Sequence, residues 1–122
     1  MTKTILVIDD SDSAREVIGS TLKDAGYAVI EACDGKDALS KLNGDKIHLI
    51  VCDVNMPEMD GISFVEEAKK LPAYCFTPII MLTTVTQENR KREGQIAGAK
   101  AWVVKPFQPA QILTAISKLM PH

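Results

Sequence analysis

The stretch "HLIVCDVNMPEMDG", residues 48–61, begins as a buried strand and then places a carboxylate where one is costly. Four apolar residues, 49–52, lead directly into Asp53. An ionised carboxylate at the end of a hydrophobic run is strongly disfavoured unless neighbouring groups stabilise it. The stretch therefore predicts a buried strand that ends at a functional aspartate.

Similar short apolar runs recur along the chain and alternate with helical patterns. The five predicted strands are residues 4–9, 28–32, 48–53, 78–83 and 101–105. Between them, apolar residues recur at helical spacing, as with Val17, Ile18 and Leu22 in the first helical segment, and each such stripe is expected to face the sheet. This alternation is typical of βαβ units. The sequence predicts an α/β fold whose parallel sheet is covered by helices on both faces.

The ends of the predicted helices carry recognisable signals. Ser13 and Glu16 have the spacing of a capping box, and Asp60 is an expected N-cap. Expected helix ends lie at Gly26, Gly44 and Gly98. A helix over 87–98 has few apolar anchors, three consecutive basic residues and an internal glycine. It is expected to be the least firmly held helix.

Composition limits the possible classes of protein. The chain has 122 residues, 46% of them hydrophobic and 25% charged, as expected for one globular domain spanning 1–122. A formal net charge of -2 gives no basic footprint for nucleic acid or an anionic membrane. Three widely spaced cysteines suggest neither a disulfide framework nor a zinc site. Without a signal-peptide core or an apolar span, a cytoplasmic protein is expected.

Polar residues follow four of the five predicted strands. These residues are Asp9 and Asp10, Asp53, Thr83, and Lys105. In an open sheet of parallel strands, ligands bind outside the carboxyl ends of the strands. The five side chains are therefore expected to converge on one edge of the sheet.

These residue types indicate phosphoryl transfer. Three crowded carboxylates raise one another's pKa unless a cation intervenes, and a site of oxygen ligands favours Mg²⁺. The charge of Lys105 and the hydroxyl of Thr83 suit phosphoryl oxygens. A carboxylate can act as the nucleophile and form an acyl phosphate, which makes Asp53 the candidate acceptor.

The chain resembles the receiver domains of bacterial two-component response regulators. The resemblance rests on "DD" at 9–10, "DVNMPEMDG" at 53–61, "MLTT" at 81–84 and "VVKPF" at 103–107. It covers essentially the whole chain. It implies a doubly wound, flavodoxin-like sheet with strand order 2-1-3-4-5. It also implies a stoichiometric phosphoacceptor, which is a signalling switch and not an enzyme.

The resemblance assigns roles around the expected metal. Asp53 matches the phosphoacceptor, Asp10 the direct Mg²⁺ ligand, and Asp9 a neighbour that acts largely through water. Asn55 matches the position whose backbone carbonyl also coordinates Mg²⁺. Mg²⁺ is thus the one cofactor that the resemblance implies.

A second group of residues matches the switch of the family. Thr83 matches the switch hydroxyl and Lys105 the lysine that binds the phosphoryl group. Trp102 matches an aromatic that turns inward when the hydroxyl shifts, although the family more often carries Tyr or Phe there. Pro106 matches a proline that follows a cis peptide bond. Activation is then expected to reshape the surface formed by the 87–98 helix, the fifth strand and the last helix.

The implied partners are a sensor histidine kinase and a downstream protein. Because the chain ends soon after its fifth predicted helix, we expect a receiver without an output domain. We also expect a monomer. Its pattern resembles chemotaxis regulators, whose target would be a flagellar motor switch protein, while Val85 and Trp102 depart from the enteric form of that interface. A phosphate sink or a regulator of another pathway is the alternative.

Two other classes of protein fit the sequence less well. A Mg²⁺-dependent phosphatase of the haloacid-dehalogenase type carries an aspartate where this chain has Asn55, and it usually adds a substrate cap. A flavin carrier of the same fold needs a phosphate-binding loop rich in Gly, Thr or Ser, whereas the stretch "DDSDSA" at 9–14 would repel a phosphate unless a metal intervened. The apolar Val85 offers no hydrogen bond to an attacking water, which predicts an acyl phosphate that is not unusually short-lived.

Overall fold

The computed structural model describes residues 2–56, 59–84, 95 and 97–120. Its strands are β1 (Thr4–Ile8), β2 (Ala28–Ala32), β3 (Leu49–Asp53), β4 (Ile79–Thr84) and β5 (Ala101–Lys105). Its helices are α1 (Asp12–Asp24), α2 (Gly35–Lys41), α3 (Gly61–Lys69) and α4 (Pro109–Leu119). Each strand end lies within one residue of its prediction. Val85 and most of the predicted 87–98 helix lie outside the described residues.

The strands form one parallel sheet with the order β2-β1-β3-β4-β5, which confirms the expected topology. The register aligns Ile8 with Cys52 and Asp53 with Leu82, and Thr83 with Val104. The carboxyl ends of β1, β3, β4 and β5 are therefore neighbours at one edge of the sheet.

Helices cover both faces of the sheet and create two apolar cores. In β1, Leu6 and Ile8 face one core, which also contains residues of α2 and α3. Ile5 and Val7 face the other core, together with residues of α1 and α4. This alternation explains why the central strands are apolar along their whole length. Among the described residues, no helix has both the length and the apolar composition needed to cross a bilayer.

The start of α1 differs from the prediction. Its N-cap is Ser11, whose hydroxyl accepts a hydrogen bond from the Ala14 N–H at 3.3 Å. The predicted Ser13 capping box is wrong because a side-chain oxygen of Asp9 accepts the Ser11 N–H at 2.9 Å and turns the chain directly after β1. The expectation that Val17 faces the sheet is also wrong, since Val17 is 53% exposed.

Other helix boundaries agree with the sequence. Asp60 caps α3 by accepting the Ser63 N–H at 2.8 Å. The three glycines expected at helix ends all have positive φ, namely 97° at Gly26, 102° at Gly44 and 122° at Gly98. Such angles favour glycine because a Cβ would be strained there.

Gly61, where α3 begins, is packed too tightly against the end of β3 to carry a side chain. The N–H of Gly61 donates to the carbonyl of Val54 at 2.8 Å. A Cβ placed on Gly61 would lie 2.2 Å from the carbonyl oxygen of Asp53 and 2.8 Å from a methyl group of Met81. Glycine at this position therefore allows α3 to begin directly against the end of β3.

Candidate functional site

Three aspartates meet at the carboxyl edge of the sheet. Asp9 and Asp10 follow β1, and Asp53 is the last residue of β3. Each offers a carboxylate oxygen that lies within 4.8 Å of the other two. Asp9 is 0% exposed and Asp53 5%, whereas Asp10 is exposed. The structure thus brings together the three carboxylates that the sequence singled out.

Lys105 links the two buried carboxylates. Its Nζ lies 3.0 Å from Oδ2 of Asp9 and 3.3 Å from Oδ2 of Asp53. Because β4 separates β5 from β3, the lysine side chain extends over the end of β4 to reach them. The Lys105–Pro106 peptide bond is cis, as the resemblance implied.

Backbone N–H groups hold the other oxygen of each buried carboxylate. The Ser11 N–H donates to Oδ1 of Asp9 at 2.9 Å, and the Asn55 N–H donates to Oδ1 of Asp53 at 3.3 Å. Each carboxylate therefore contacts a backbone donor through one oxygen and Lys105 through the other. This arrangement fixes the rotation of both groups.

The site has an excess of negative charge. Burial raises the pKa of Asp53 above its ordinary value; Lys105 opposes the rise, and the charge of Asp9 adds to it. Burial alone would lower the pKa of Lys105, but its hydrogen bond to Asp9 and the charges of both aspartates raise it. Lys105 is therefore protonated, yet one cation does not balance three carboxylates.

Replacing Asp53 with asparagine is expected to stabilise the metal-free protein. A carboxyl group whose pKa is raised by folding adds stability while protonated and loses that contribution as the pH rises through the folded-state pKa. The free energy of unfolding of Asp53→Asn at pH 7 should therefore exceed that of the wild type by about 1 kcal/mol. The gain should shrink as the pH falls below the raised folded-state pKa towards the ordinary pKa of aspartate.

Urea denaturation in EDTA at several pH values measures this effect. Asp45→Asn, which neutralises an exposed loop aspartate, controls for the change in net charge. A variant Asp53→Asn that is less stable than the wild type at pH 7 would contradict the electrostatic interpretation.

The expected switch residues occupy adjacent strands. Thr83 lies near the end of β4 and is 2% exposed. Trp102 lies in β5 opposite Met81 and packs against the core that contains α3. Its indole Nε1 is buried without a hydrogen-bond partner among the described residues. Thr83 thus lies at the edge of the sheet that holds the site, whereas Trp102 lies near the start of β5. The roles of both residues in switching stay predictions.

Sequence reasoning missed a residue that contacts the site from α1. Nη1 of Arg15 donates to the carbonyl oxygen of Asp9 at 2.6 Å. Its position six residues after Asp9 puts it on the first turn of the following helix, which permits this contact but does not by itself predict it. The carbonyl of Asn55, expected as a metal ligand, belongs to the exposed residue that follows Val54 after β3.

The donor atoms suit a hard divalent cation. The cluster of Asp9, Asp10 and Asp53 offers carboxylate oxygens, which Mg²⁺ prefers over the nitrogen and sulfur ligands favoured by softer metals. A divalent cation would neutralise the excess negative charge around Asp53. The acidic triad is thus consistent with a Mg²⁺ site.

Comparisons with known proteins agree with this geometry. The gliding motility regulatory protein of Myxococcus xanthus is 38% identical over 94% of this chain, which spans 15% of that protein. PhoP, the alkaline phosphatase synthesis transcriptional regulatory protein of Bacillus subtilis, is 36% identical over 98% of the chain, which spans 49% of its length. The structure of chemotaxis protein CheY4 of Vibrio cholerae is similar with a TM-score of 0.94 and 42% identity, covering 98% of this chain and 100% of that one.

The match to a family model is equally extensive. The model described as "Response regulator receiver domain" matches residues 5–117. This range includes β1 from Ile5 onward, the other four strands in full, the three aspartates and Lys105. The chain therefore belongs to the response regulator receiver domains, a family of phosphoaccepting signalling domains that interact with histidine kinases and are not classical enzymes.

Proposed function

We propose that this chain is a phosphorylation-activated signalling switch that accepts a phosphoryl group on Asp53 in a Mg²⁺-dependent reaction. The observation that carries the proposal is the contact of Lys105 with both Asp9 and Asp53 at the edge of the sheet. This contact puts a cation beside a buried, rigidly held carboxylate. Such an arrangement fits a nucleophile whose product carries additional negative charge.

In the transfer step, a carboxylate oxygen of Asp53 attacks the phosphorus of the donor. The new oxygen–phosphorus bond forms as the bond to a donor histidine nitrogen or acetyl phosphate oxygen breaks, and the leaving group keeps the electron pair. Asp9, Asp10, Asp53 and the carbonyl of Asn55 would hold Mg²⁺. When bound, the ion neutralises charge on the carboxylates and the transferring phosphoryl oxygens.

After transfer, the ammonium group of Lys105 would contact a phosphoryl oxygen in place of the Asp53 carboxylate. Its Nζ already lies 3.3 Å from Oδ2 of Asp53, so only a small movement is needed. Phosphorylation adds about 1.5 to 2 negative charges. Lys105 and the hydroxyl of Thr83 would each donate a charge-assisted hydrogen bond to the new group. Each bond is worth roughly 1.5 to 3 kcal/mol.

These bonds shift a two-state equilibrium strongly, but they complete the shift only at the upper end of their range of strength. A change in population from 1:99 to 99:1 requires about 5.5 kcal/mol, and two such bonds supply roughly 3 to 6 kcal/mol. As Thr83 moves towards the phosphoryl group, the ring of Trp102 would pack into the space that it leaves. The surface formed by β5, α4 and the predicted 87–98 helix would change shape.

An apolar patch beside the site supports a protein as the phosphoryl donor. Ala14 and Val17 of α1 line it together with Pro106 and Phe107, and Lys105 lies at its edge. A donor that brings a phosphohistidine to Asp53 must rest on the surface around the site. This exposed patch suits the sensor histidine kinase that we propose as donor.

For the output, we propose binding to a downstream protein in chemotaxis-type signalling. The similarity of the whole chain to a chemotaxis protein at 42% identity supports this pathway, with a flagellar motor switch protein as the partner. A phosphate sink or a regulator of another pathway is the alternative. We further propose a monomeric, cytoplasmic protein in which residues 1–122 form a single receiver domain.

The phosphorylation proposal is tested by the intact mass of the protein after incubation with acetyl phosphate and Mg²⁺. We expect an adduct of one phosphoryl group in the wild type and in Asp45→Asn, and none in Asp53→Asn or in EDTA. The fluorescence of Trp102 should change together with adduct formation. A folded wild type that gains no adduct, or an equal adduct in Asp53→Asn, would overturn the proposal.

A further inference from the structure

Arg15 joins three elements beside the metal-binding aspartates. It lies in α1 with 15% of its side chain exposed. Its Nη1 donates to the carbonyl oxygen of Asp9 at 2.6 Å, and its Nη2 forms an ion pair with Asp12. Its Nε lies 3.4 Å from a carboxylate oxygen of Glu31 in β2. The guanidinium thus connects the end of β1 with α1 and β2.

We infer that Arg15 is a positioning residue that fixes the direction of the Asp10 carboxylate for Mg²⁺. The inference rests on the proposed function. The carbonyl held by Arg15 belongs to the peptide group that joins Asp9 to Asp10. Fixing that peptide plane restricts the backbone from which the Asp10 side chain extends. Asp10 is the exposed member of the acidic triad, so its direction depends most on its backbone.

Asp9 has several other anchors. Its N–H donates to the carbonyl of Ala32 at 3.2 Å, Ser11 holds one of its carboxylate oxygens, and Lys105 holds the other. Loss of Arg15 should therefore leave Asp9 in place and release mainly the peptide that follows it. The expected consequence is a weaker Mg²⁺ site in a protein that remains folded.

The positive charge of Arg15, taken alone, predicts the opposite change in Mg²⁺ affinity when Arg15 is replaced. Removing a cation near three carboxylates strengthens the attraction of Mg²⁺ if charge alone matters. However, Arg15 already pairs with two carboxylates, those of Asp12 and Glu31, which offset its charge locally. The loss of positioning should therefore outweigh the loss of positive charge. Weaker Mg²⁺ binding in the variant indicates positioning, and tighter binding indicates charge.

Calorimetric titration with Mg²⁺ alone provides the test, because it needs no phosphoryl donor. Arg15→Met keeps much of the apolar stem and should raise the Mg²⁺ dissociation constant about 10-fold, as for other residues that orient metal ligands. Arg15→Lys retains one donor group and should fall between Arg15→Met and the wild type. Lys23→Met removes one positive charge from the exposed last turn of the same helix and should have no effect.

A thermal melt of each variant separates positioning from general stability. A residue with only a structural role would lower the melting temperature and leave the dissociation constant of the folded protein unchanged. Mg²⁺ binding that is unchanged or tighter in Arg15→Met would overturn this inference and leave the proposed function standing. If Arg15→Met does not fold, the same outcome in Arg15→Lys would overturn it. If the wild type itself binds no Mg²⁺, the proposed function fails and the role of Arg15 fails with it.

Discussion

Replacing Gly61 with alanine is expected to lower the free energy of unfolding by about 3 kcal/mol. The added Cβ would lie 2.2 Å from the carbonyl oxygen of Asp53 and 2.9 Å from the Cα of Val54. Both are backbone atoms next to a buried strand, so neither can move easily. Shifting α3 away instead would break the hydrogen bond from the Gly61 N–H to Val54.

Gly19→Ala is the matched control for this substitution. Gly19 is also a buried glycine in a helix, but a Cβ there would lie 3.7 Å from its nearest neighbour, a methyl group of Val29. Because alanine favours a helix interior over glycine by about 1 kcal/mol, the control should be unchanged or more stable. Chemical denaturation compares the two variants. Equal effects at the two positions would contradict the close packing of α3 against Asp53.

Lys105→Met should affect both the stability and the chemistry of the site. In EDTA, removing the cation that contacts Asp9 and Asp53 is expected to lower the free energy of unfolding by about 3 kcal/mol. Mg²⁺ should restore part of that loss because it neutralises the same carboxylates. At saturating Mg²⁺, the rate of phosphorylation by acetyl phosphate should fall about 100-fold, since one donor to the developing charge is lost.

Lys100→Met, which removes an exposed lysine next to β5, controls for net charge. Denaturation with and without Mg²⁺ measures the stability effects, and the time course of the intact mass gives the rate. Phosphorylation of Lys105→Met at the wild-type rate in saturating Mg²⁺ would show that Lys105 does not assist the transfer.

The sequence predicted the sheet well because each strand is a short apolar run with polar residues at its end. Parallel strands align those ends, so Asp9, Asp53 and Lys105 could be assigned to one edge before any distance was known. The order of the strands followed from the resemblance to receiver domains. Local patterns alone do not decide which strands are neighbours.

The structure differs from the sequence-based predictions where a tertiary contact outweighs a local pattern. Ser13 has the better capping-box spacing, but the hydrogen bond from the Ser11 N–H to Asp9 starts α1 earlier. Val17 fits a helical stripe, yet it lies on the exposed side of α1 near Phe107. The contact of Arg15 with the Asp9 carbonyl depends on how α1 packs beside β2, which spacing alone does not reveal.

The identity of the phosphorylated residue tests the account most directly. After reaction with acetyl phosphate and Mg²⁺, reduction with borohydride converts an aspartyl phosphate to homoserine, and peptide mass spectrometry locates it. We predict homoserine at position 53 and none at positions 9 or 10. Homoserine at another aspartate, or no homoserine in a folded protein incubated with Mg²⁺, would contradict the assignment of Asp53 as the phosphoacceptor.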